Sequence, residues 1–330
     1  MEEKITMVHG SGGRATGELI GELFAKEFDN EILRQMEDSA VVKATEKIAM
    51  TTDSFVVTPL FFPGGDIGRL SICGTVNDLL MRGAKPKYLT CGFILEEGLS
   101  IRVLADTVHA MSQTAKEAGI QIVAGDTKVV EGNGGMYINT AGVGVFEKDR
   151  ELSAKKIKSR DVILVSGTMG DHHAAILGER MNIDTDIESD CAPLTEMVSN
   201  LMESDIGLHA MRDVTRGGLA TVLKEMAVSS GSRIKLYEEN IPVTEKVRDF
   251  SGLLGLDPMY MGNEGKLVVF VEAKDKERAL EVMRNSKYGE NACAIGEVTP
   301  GQAGELIMQT RIGGEREMDI LQGEGLPRIC

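Results

Sequence analysis

The sequence predicts a two-domain α/β protein, and three observations lead to this fold class. Its 330 residues, 42% of them hydrophobic, suffice for about two domains with cores of their own. Short runs rich in Val, Ile and Thr alternate with segments whose apolar residues recur at helical spacing. A charged stretch at residues 147–160 lacks a strand pattern and separates two such series, so we place the domain boundary within it.

The first domain is predicted to cover residues 1–150. Its runs of β-branched and aromatic residues predict strands at 41–45, 47–52, 87–93, 120–124 and 136–146. Apolar residues at helical spacing predict a helix over residues 66–81. Ser100 is placed to cap a second helix, whose apolar face carries Leu104, Val108 and Met111.

The second domain is predicted to cover residues 151–310. Its expected strands are 161–166, 233–236, 266–271, 292–298 and 305–310, and its expected helices are 171–180, 193–203, 217–229 and 274–286. Residues 311–330 carry seven charged side chains and little periodicity. We therefore expect a mobile arm from Arg311 onwards.

Composition excludes several classes of function. A net charge of −15, no tryptophan and 4% aromatic residues argue against a nucleic-acid partner. No apolar run approaches the roughly 18 residues of a membrane span. The cysteines are scattered and contain no CxxC pair, which argues against a disulfide framework and a thiolate zinc site. We expect reduced thiols and a cytoplasmic location.

Four aspartates fall at the ends of predicted strands or on the helices that follow: Asp38, Asp53, Asp78 and Asp126. Any one of them could cap a turn. Together they favour one site, because strand ends in an α/β layer meet where such sheets bind ligands. Clustered carboxylates repel one another unless a cation intervenes, and Mg²⁺ with phosphate oxygens completing its shell satisfies them. The set therefore predicts a magnesium nucleotide site.

Two glycine-rich segments precede predicted helices. The first, residues 9–14, contains Gly12 and Gly13, and the second, residues 213–219, contains Asp213, Thr215 and Gly217. Glycines let backbone N–H groups approach a phosphate, and a helix N-terminus adds partial positive charge. The first segment lacks the GxxxxGK[ST] spacing of a Walker A loop and could be a flexible leader. The second could simply be a capped helix start.

Cys330, the last residue of the sequence, is an unusual position for a thiol. Chain ends are rarely held in a core, so this cysteine is not expected to act as a small buried hydrophobe. A nucleophile on a tether is the alternative. The seven residues after Gly323 could extend by about 23 Å and reach a pocket of the same chain or of a partner.

Seven motifs occur in the order found in one known family: HGSGG, EDSAVV, TTDSFVVTPLFFPGGDIGRLSICGTVNDLLMRGAKP, GDTKVV, DVTRGGL, GNEGK and PRIC. The chain resembles the HypE family of hydrogenase maturation proteins over nearly its whole length. This resemblance implies the PurM-like architecture of the aminoimidazole ribonucleotide synthetase and selenophosphate synthetase superfamily. It implies an N-terminal domain that forms a β-barrel across a homodimer, with a second α/β domain beside it.

The resemblance also implies an activity. In that family HypF carbamoylates the C-terminal cysteine, the enzyme dehydrates the thiocarbamate to a thiocyanate with ATP, and the HypC–HypD complex receives the cyanide for a [NiFe]-hydrogenase. Carried over here, Cys330 holds the carbamoyl group and Mg²⁺ lies on Asp38, Asp53, Asp78 and Asp126. The resemblance places ATP against Gly12, Gly13, Asn77, Asp213, Thr215 and Gly217.

Two further residues are assigned from the chemistry that this activity requires. Glu264, between Gly262–Asn263 and Gly265, is the expected base that removes the N–H protons, although it could be a surface turn residue. Lys128, two residues beyond Asp126, is expected to hold the carbonyl oxygen or the transferred phosphate, although it could be a solvated strand-end lysine.

Alternatives remain open at this point. Another phosphorylating enzyme of the superfamily would leave Cys330 without a purpose, and a selenophosphate synthetase should carry a cysteine near its first glycine segment, where residues 1–17 have none. A non-catalytic carrier would not need the aspartates. The chain also departs from the family's GDHG run with His173, and the pair His172 and His173 favours solvated or turn positions over metal ligands.

Overall fold

The structure is a computed structural model that describes residues 4–11, 14–36, 39–148 and 150–322. In this part of the chain, two large β-sheets with covering helices follow one another along the sequence, and two short strands form a third, small sheet. The predicted α/β fold class is thereby confirmed. The β-barrel across a dimer requires a second chain and stays a prediction.

The first half contains one main sheet and a small strand pair. The strands are β1 (Ile48–Phe55), β2 (Phe61–Phe62), β3 (Gly65–Asp66), β4 (Lys85–Glu96), β5 (Gln121–Val130) and β6 (Met136–Val145). The helices are α1 (Arg14–Leu19), a π-helical turn (Ile20–Phe24), α2 (Ala25–Glu27), α3 (Ile67–Met81) and α4 (Ile101–Ala118), with 3₁₀ turns at Met7–Gly10 and Leu33–Gln35. The main sheet has the order β1-β6-β4-β5, in which only β4 and β5 run parallel.

The main sheet has one covered face and one open face. Phe55, Phe93 and Ile138 are in register and buried on the face that α3 and α4 cover. Alternate residues of the same strands point the other way. On that open face Met50 is 70% exposed and Ile94 is 45% exposed.

Helix α3 occupies the centre of the molecule, and its start is fixed by a cap. The Asp66 carboxylate accepts hydrogen bonds from the backbone N–H groups of Gly68 and Arg69, at 2.7 and 3.0 Å. A side chain on Gly68 would come within 2.4 Å of the Thr107 carbonyl oxygen, so the glycine allows α3 to pack closely on α4. The helix is buried along most of its length because it also contacts β8 of the second half.

The second half contains a larger mixed sheet. Its strands are β7 (Val162–Val165), β8 (Leu208–Asp213), β9 (Arg233–Tyr237), β10 (Leu267–Val271), β11 (Cys293–Thr299), β12 (Leu306–Gln309) and β13 (Glu315–Glu317). Its helices are α5 (Asp171–Met181), α6 (Thr195–Glu203), α7 (Gly218–Ser230), α8 (Glu245–Leu254) and α9 (Lys276–Arg284), with 3₁₀ turns at Ala154–Lys156, Glu238–Asn240, Pro258–Tyr260 and Ala273–Asp275. The order is β13-β12-β9-β11-β7-β10-β8, and only β9 and β12 run parallel.

The predicted elements differ from the observed ones at several positions. Residues 41–45 form no strand, because they are largely exposed, with Val41 at 83%, and no strand of the described ranges pairs with them. Strand β8 was not predicted, since its sequence LHAMRD mixes apolar and charged residues without regular alternation. Helix α8 was also missed, although Thr244 caps it by accepting a hydrogen bond from Val247 N.

The expected mobile arm begins too early at Arg311. Glu315–Glu317 form β13 beside β12, and Met318 is fully buried. Beyond it, Tyr260 donates to the Asp319 carbonyl at 3.1 Å and Leu321 N donates to the Thr221 hydroxyl at 3.1 Å. Contacts with the second domain therefore continue to Leu321. The domain boundary proposed within residues 147–160 stays a prediction. None of the described helices is long and apolar enough to cross a membrane.

Candidate active site

Two of the predicted aspartates lie together between β1 and α3. Asp53 on β1 is within hydrogen-bonding reach of Asp78 and of the Thr75 hydroxyl, both on α3. Thr51 also donates to Oδ2 of Asp78, at 2.8 Å. Burial, together with the negative charge of Asp78, raises the pKa of Asp53.

The second domain contributes a third carboxylate. Asp213 ends β8, which packs against α3, and it is only 8% exposed. Burial, and then the charge of Asp78, raises its pKa to about 7, and Asp53 adds to this effect. We call Asp53, Asp78 and Asp213 the acidic cluster.

The chain turns sharply after Asp213, and this turn carries the predicted Thr215 and Gly217. Gly217 and Gly218 have φ angles of 81° and 68°, and Gly218 N donates to the Thr215 carbonyl at 3.0 Å. A side chain on Gly218 would meet the Met259 carbonyl oxygen at 2.6 Å. Arg216, between Thr215 and Gly217, acts by its positive charge on both Asp53 and Glu264, and it opposes the rise in their pKa values.

Glu264 is buried rather than in a surface turn. It is 4% exposed, and its Oε1 has no hydrogen-bond partner among the residues that the structure describes. Burial raises the pKa of this carboxyl well above its ordinary range, and the charges of Asp213 and Asp190 raise it further. A buried acceptor without a partner is costly, which is typical of a residue kept for chemistry.

Asn263 connects the loop of Glu264 to two neighbouring turns. Its Oδ1 accepts from Gly170 N at 2.7 Å, and its Nδ2 donates to the Val214 carbonyl at 3.2 Å. Asn263 N also donates to the Val214 carbonyl, at 3.0 Å. These bonds place Glu264 beside the residue that follows Asp213.

The donor set of the acidic cluster fits a hard divalent cation. Carboxylate oxygens from three separate elements face one region, and a cation would relieve the repulsion that raises the pKa values of Asp53 and Asp213. Over the described ranges, no three His, Cys, Asp or Glu side chains are close enough together to bind a metal by themselves. A cation here would therefore need further oxygens from phosphate or water, as Mg²⁺ commonly does.

Asp126 and Lys128 lie apart from the acidic cluster in the structure. They are on β5, separated from β1 by β4 and β6, and Asp126 is in register with Gly92, Asn139 and Ser54 on the open face. Asp53 instead points towards α3, because it alternates with Ser54. The expectation that all four aspartates point to one side is therefore wrong for Asp126 within one chain.

Asp126 and Lys128 line a groove of about 320 Å³ in the first domain. Lys128 Nζ is 2.9 Å from Asp126 Oδ1, and this hydrogen bond lowers the pKa of Asp126. Apolar side chains including Phe24 and Phe93 form the rest of the groove, and Gly10 also lines it. A side chain on Gly10 would come within 2.8 Å of Val129 N, so the first glycine segment starts close against β5.

Asn77 has a structural role that the sequence did not reveal. It is 2% exposed, its Nδ2 donates to the Ala192 carbonyl at 3.0 Å, and its Oδ1 accepts from Leu194 N at 2.9 Å. Both ends of the amide therefore bind backbone groups of the second domain. The expectation that Asn77 contacts the nucleotide is not supported by this geometry.

Other assigned residues lie outside the described ranges. They are Gly12, Gly13, Asp38 and Cys330. Their predicted roles in phosphate binding, metal binding and substrate attachment therefore stay predictions.

His172 and His173 are neither solvated nor in a loop turn, contrary to expectation. They lie at the start of helix α5 and are 0% and 6% exposed. His172 Nδ1 is 2.7 Å from the Ser189 hydroxyl, and its ring meets Phe62 edge-on at 5.5 Å between centroids. The contacts with Ser189 and Phe62 explain how the polar His172 ring is accommodated in this buried position.

Sequence reasoning missed two charged residues near Glu264. Arg216 was quoted within the DVTRGGL motif but received no role, and Asp190 lies in a segment without periodicity. Asp190 Oδ1 accepts from Glu264 N at 3.1 Å. The position of Arg216 between Thr215 and Gly217 was the one available signal.

Each half of the chain matches a known domain family. Residues 36–146 match the family described as AIR synthase related protein, N-terminal domain, and residues 159–309 match AIR synthase related protein, C-terminal domain. The protein is therefore a two-domain member of the AIR synthase related class, with its acidic cluster where the two domains meet.

Full-length relatives define the family more closely. Carbamoyl dehydratase HypE of Rhodobacter capsulatus is 43% identical, covering 100% of this chain and 99% of that protein, and its counterpart in Cupriavidus necator is 48% identical, covering 99% and 95%. A crystal structure of hydrogenase maturation protein HypE in complex with ATP is 46% identical, with a TM-score of 0.95 over 98% of this chain and 99% of that one. The chain belongs to the HypE family of carbamoyl dehydratases, which are enzymes of hydrogenase maturation.

One related structure also contains a partner protein. A chain of the crystallised HypE–HypF complex is 47% identical to this one, with a TM-score of 0.80, covering 92% of this chain and 99% of that chain. The similarity of fold and sequence therefore extends to a HypE captured with HypF.

Proposed function

We propose that this chain uses ATP to convert an S-carbamoyl group on Cys330 into a thiocyanate, which supplies cyanide for the iron of a [NiFe]-hydrogenase. The observation that carries this proposal is a buried carboxyl, Glu264, held beside the acidic cluster where the two domains meet. An acid–base group next to a carboxylate cluster that fits a divalent cation suits a reaction that needs both proton removal and phosphoryl transfer. Family membership supports the same reaction.

The chemistry has two steps. The carbonyl oxygen of the carbamoyl group attacks the γ-phosphorus, the bond to the β-phosphate oxygen breaks, and ADP leaves as one N–H proton is lost. The resulting S–C(=NH)–O–phosphate then loses its remaining N–H proton, and its C–O bond breaks to release phosphate. The product is S–C≡N, and the carbamoyl oxygen departs in the phosphate.

Asp53, Asp78 and Asp213 would hold the divalent cation, and Asp38 remains a proposed fourth ligand. Mg²⁺, when bound, supplies neutralisation of the charge on the phosphate oxygens. The residues themselves set the geometry, since Thr51 orients Asp78 and β8 fixes Asp213 against α3. Thr215 and Gly217, with Gly12 and Gly13 as further proposals, would offer backbone N–H groups to the phosphates.

Glu264 is the proposed base. A carboxyl with a raised pKa binds a proton more tightly once it is ionised, and so it is a stronger base than an exposed glutamate. The positive charge of Arg216 favours the ionised form and opposes the effect of burial on the pKa of Glu264. We expect thiocyanate formation to increase with pH as Glu264 ionises, and we expect Glu264→Gln to remove that dependence.

Lys128 and Asp126 are proposed to act from the open face. That face carries exposed apolar side chains such as Met50 and Ile94, which a second copy of the chain would cover in a homodimer. In such a homodimer Asp126 and Lys128 would lie at the subunit interface, and Lys128 would contact ATP or the transferred phosphate there.

The proposed partners follow the reaction. HypF would donate the carbamoyl group, by analogy with the HypE crystallised with HypF, and a HypC–HypD complex would accept the cyanide. The proposed location is the cytoplasm, where ATP is available and thiols such as Cys330 remain reduced.

Mass spectrometry of the tail peptide tests the whole proposal. With HypF, carbamoyl phosphate and ATP, the peptide containing Cys330 should gain a carbamoyl group and then lose one water. Cys330→Ala should abolish both changes, whereas Cys293→Ala, at a partly buried free cysteine, should leave them intact. A carbamate that persists with ATP and Mg²⁺ would favour a carrier, and ATP consumption without HypF or Cys330 would favour another phosphorylating enzyme.

A further inference from the structure

The segment of residues 189–194 lies against the loop that carries Glu264. Asp190 Oδ1 accepts from Glu264 N at 3.1 Å, and Asp190 Oδ2 accepts from Gly265 N at 3.3 Å. Ala192 N donates to the Glu264 carbonyl at 3.4 Å. The peptide groups on both sides of Glu264 are thus bonded to this one segment.

Asp190 is well suited to hold a backbone. Its side chain is 3% exposed, and Lys266 Nζ lies 3.7 Å from Oδ2 at 12% exposure. A side chain on Gly265 would come within 1.9 Å of the Asp190 carbonyl oxygen, so the two backbones touch. A buried carboxylate that accepts two backbone N–H groups and pairs with a lysine forms strong, charge-assisted hydrogen bonds.

The other side of the same segment is fixed to α3. Arg69 Nε donates to the Cys191 carbonyl at 2.8 Å, and Asn77 bonds both the Ala192 carbonyl and Leu194 N. Arg69 and Asn77 are two helical turns apart on α3, and Asp78 follows directly. The segment therefore connects the helix of the acidic cluster to the loop of Glu264.

The direction of the Glu264 carboxyl depends on its backbone. Its Oε1 has no hydrogen-bond partner within the described part of the chain, so side-chain bonds do little to orient it. Catalytic groups are sensitive to such displacements, since a shift of about 1 Å can reduce a rate by about 100-fold.

We propose that Asp190 is a positioning residue, which holds the peptide of Glu264 and thereby aims its carboxyl group at the acidic cluster. This inference rests on the proposed role of Glu264 as the base. Asp190 itself contacts neither the carbamoyl group nor the phosphate and acts through the loop.

The test compares Asp190→Asn with a matched control, Asp186→Asn. Asn keeps one acceptor oxygen but presents an amide group to the second backbone N–H, so the pair of bonds cannot both persist. The Asp186 side chain is 88% exposed and pairs only with Lys246 at the surface, among the contacts described. Both variants are made in the full chain.

Two measurements are decisive. Hydrogen exchange of the peptide covering residues 261–266 should become faster in Asp190→Asn and stay unchanged in Asp186→Asn. Water loss from the tail carbamate should slow by about 10-fold to 100-fold in Asp190→Asn. In a Glu264→Gln background, Asp190→Asn should slow the reaction no further, because residues acting as one unit are not additive.

Unchanged exchange in Asp190→Asn, or effects of the two substitutions that multiply, would overturn the inference alone. Full activity of Glu264→Gln would overturn the proposed base and the inference with it. If Asp190→Asn does not fold, Lys266→Gln removes only the ion pair and should accelerate exchange of the same peptide to a smaller extent. No acceleration in that variant would also contradict the inference.

Discussion

The Thr51 hydroxyl donates a hydrogen bond of 2.8 Å to Oδ2 of Asp78, so strand β1 and helix α3 are joined where the acidic cluster forms. One oxygen of Asp78 is thereby oriented by the protein. A cation, or a hydrogen bond with Asp53, must use the lone pairs of Asp78 that the Thr51 bond leaves available. This bond allows the charge of Asp78 to be changed without losing its anchor.

Asp78→Asn should abolish most ATP turnover while the protein remains folded. Asn can still accept the Thr51 hydrogen bond, but it removes one negative charge from the proposed cation site. We expect phosphate release to fall by about 100-fold or more, with a higher requirement for Mg²⁺. Asp106→Asn, at an exposed position of α4, is the control and should behave like the wild type. Full turnover in Asp78→Asn would remove it from the site.

Asp213 should make the cation-free protein less stable as the pH rises through neutrality. Its pKa of about 7 in the fold exceeds the ordinary 3.8, so the folded state binds a proton that the unfolded state has released. That contribution is complete below the ordinary value and is lost as the pH rises through about 7. Between pH 6 and pH 8 the wild type should lose about 1.4 kcal/mol of unfolding free energy relative to Asp213→Asn.

Urea unfolding of both proteins without divalent cations or nucleotide measures this difference. A gap that is constant from pH 6 to pH 8 would contradict the raised pKa. Adding Mg²⁺ and ATP should stabilise the wild type most at the higher pH, because the ionised carboxylate is the form that binds a cation.

Gly265→Ala should destabilise the fold, because the new methyl group would lie 1.9 Å from the Asp190 carbonyl oxygen. Overpacking of this kind typically costs about 1–3 kcal/mol. Gly252→Ala is the matched control, since that glycine lies within α8 and has open space around it. There the substitution should stabilise by about 0.5–1 kcal/mol, through helix propensity. Equal effects in chemical denaturation would argue against the close approach.

Asn77→Ala distinguishes a structural residue from a nucleotide ligand. The substitution leaves the Ala192 carbonyl and Leu194 N without their partner, which typically costs about 1–3 kcal/mol for a buried group. Urea unfolding should show this loss, whereas calorimetric titration should show ATP affinity within about threefold of the wild type. Weakened ATP binding in an equally stable variant would restore the role that the sequence predicted.

Met50→Glu should prevent association if a second copy covers the open face. Met50 is 70% exposed on that face, and a buried charge at a dimer interface is unfavourable. Light scattering should give a monomer mass for Met50→Glu and a dimer mass for the wild type. Leu253→Glu is the control, because Leu253 is 76% exposed on α8 in the second domain. A dimer that persists in Met50→Glu would place the interface elsewhere.

The sequence was sufficient where the signal is local. The apolar spacing of residues 66–81 predicted helix α3 to within a residue of its observed start. The joint placement of Asp53 and Asp78 followed from a strand and the next long helix. The run of apolar, β-branched and aromatic residues at 266–271 likewise predicted strand β10.

The sequence was insufficient where long-range pairing decides the outcome. Asp126 faces away from Asp53 because it is in register with Ser54 across β4 and β6, and this register cannot be deduced from strand patterns. Asn77 bonds residues more than 100 positions away, so nothing near it indicates its partners. Asp190 lies in a segment without regular structure, and its contact with Glu264 joins positions 74 residues apart within the second domain.

Helix α3 belongs to the first domain by sequence, yet Arg69 and Asn77 bind the backbone of residues 191–194 in the second. Dividing the gene within residues 147–160 would therefore expose to water, on both products, the apolar and polar groups that α3 buries against the second domain. Each fragment expressed alone should be poorly soluble, whereas the two expressed together should find one another through those groups. The chain is thus a natural starting point for a split-protein reporter, in which reassembly of the halves would also rebuild the acidic cluster.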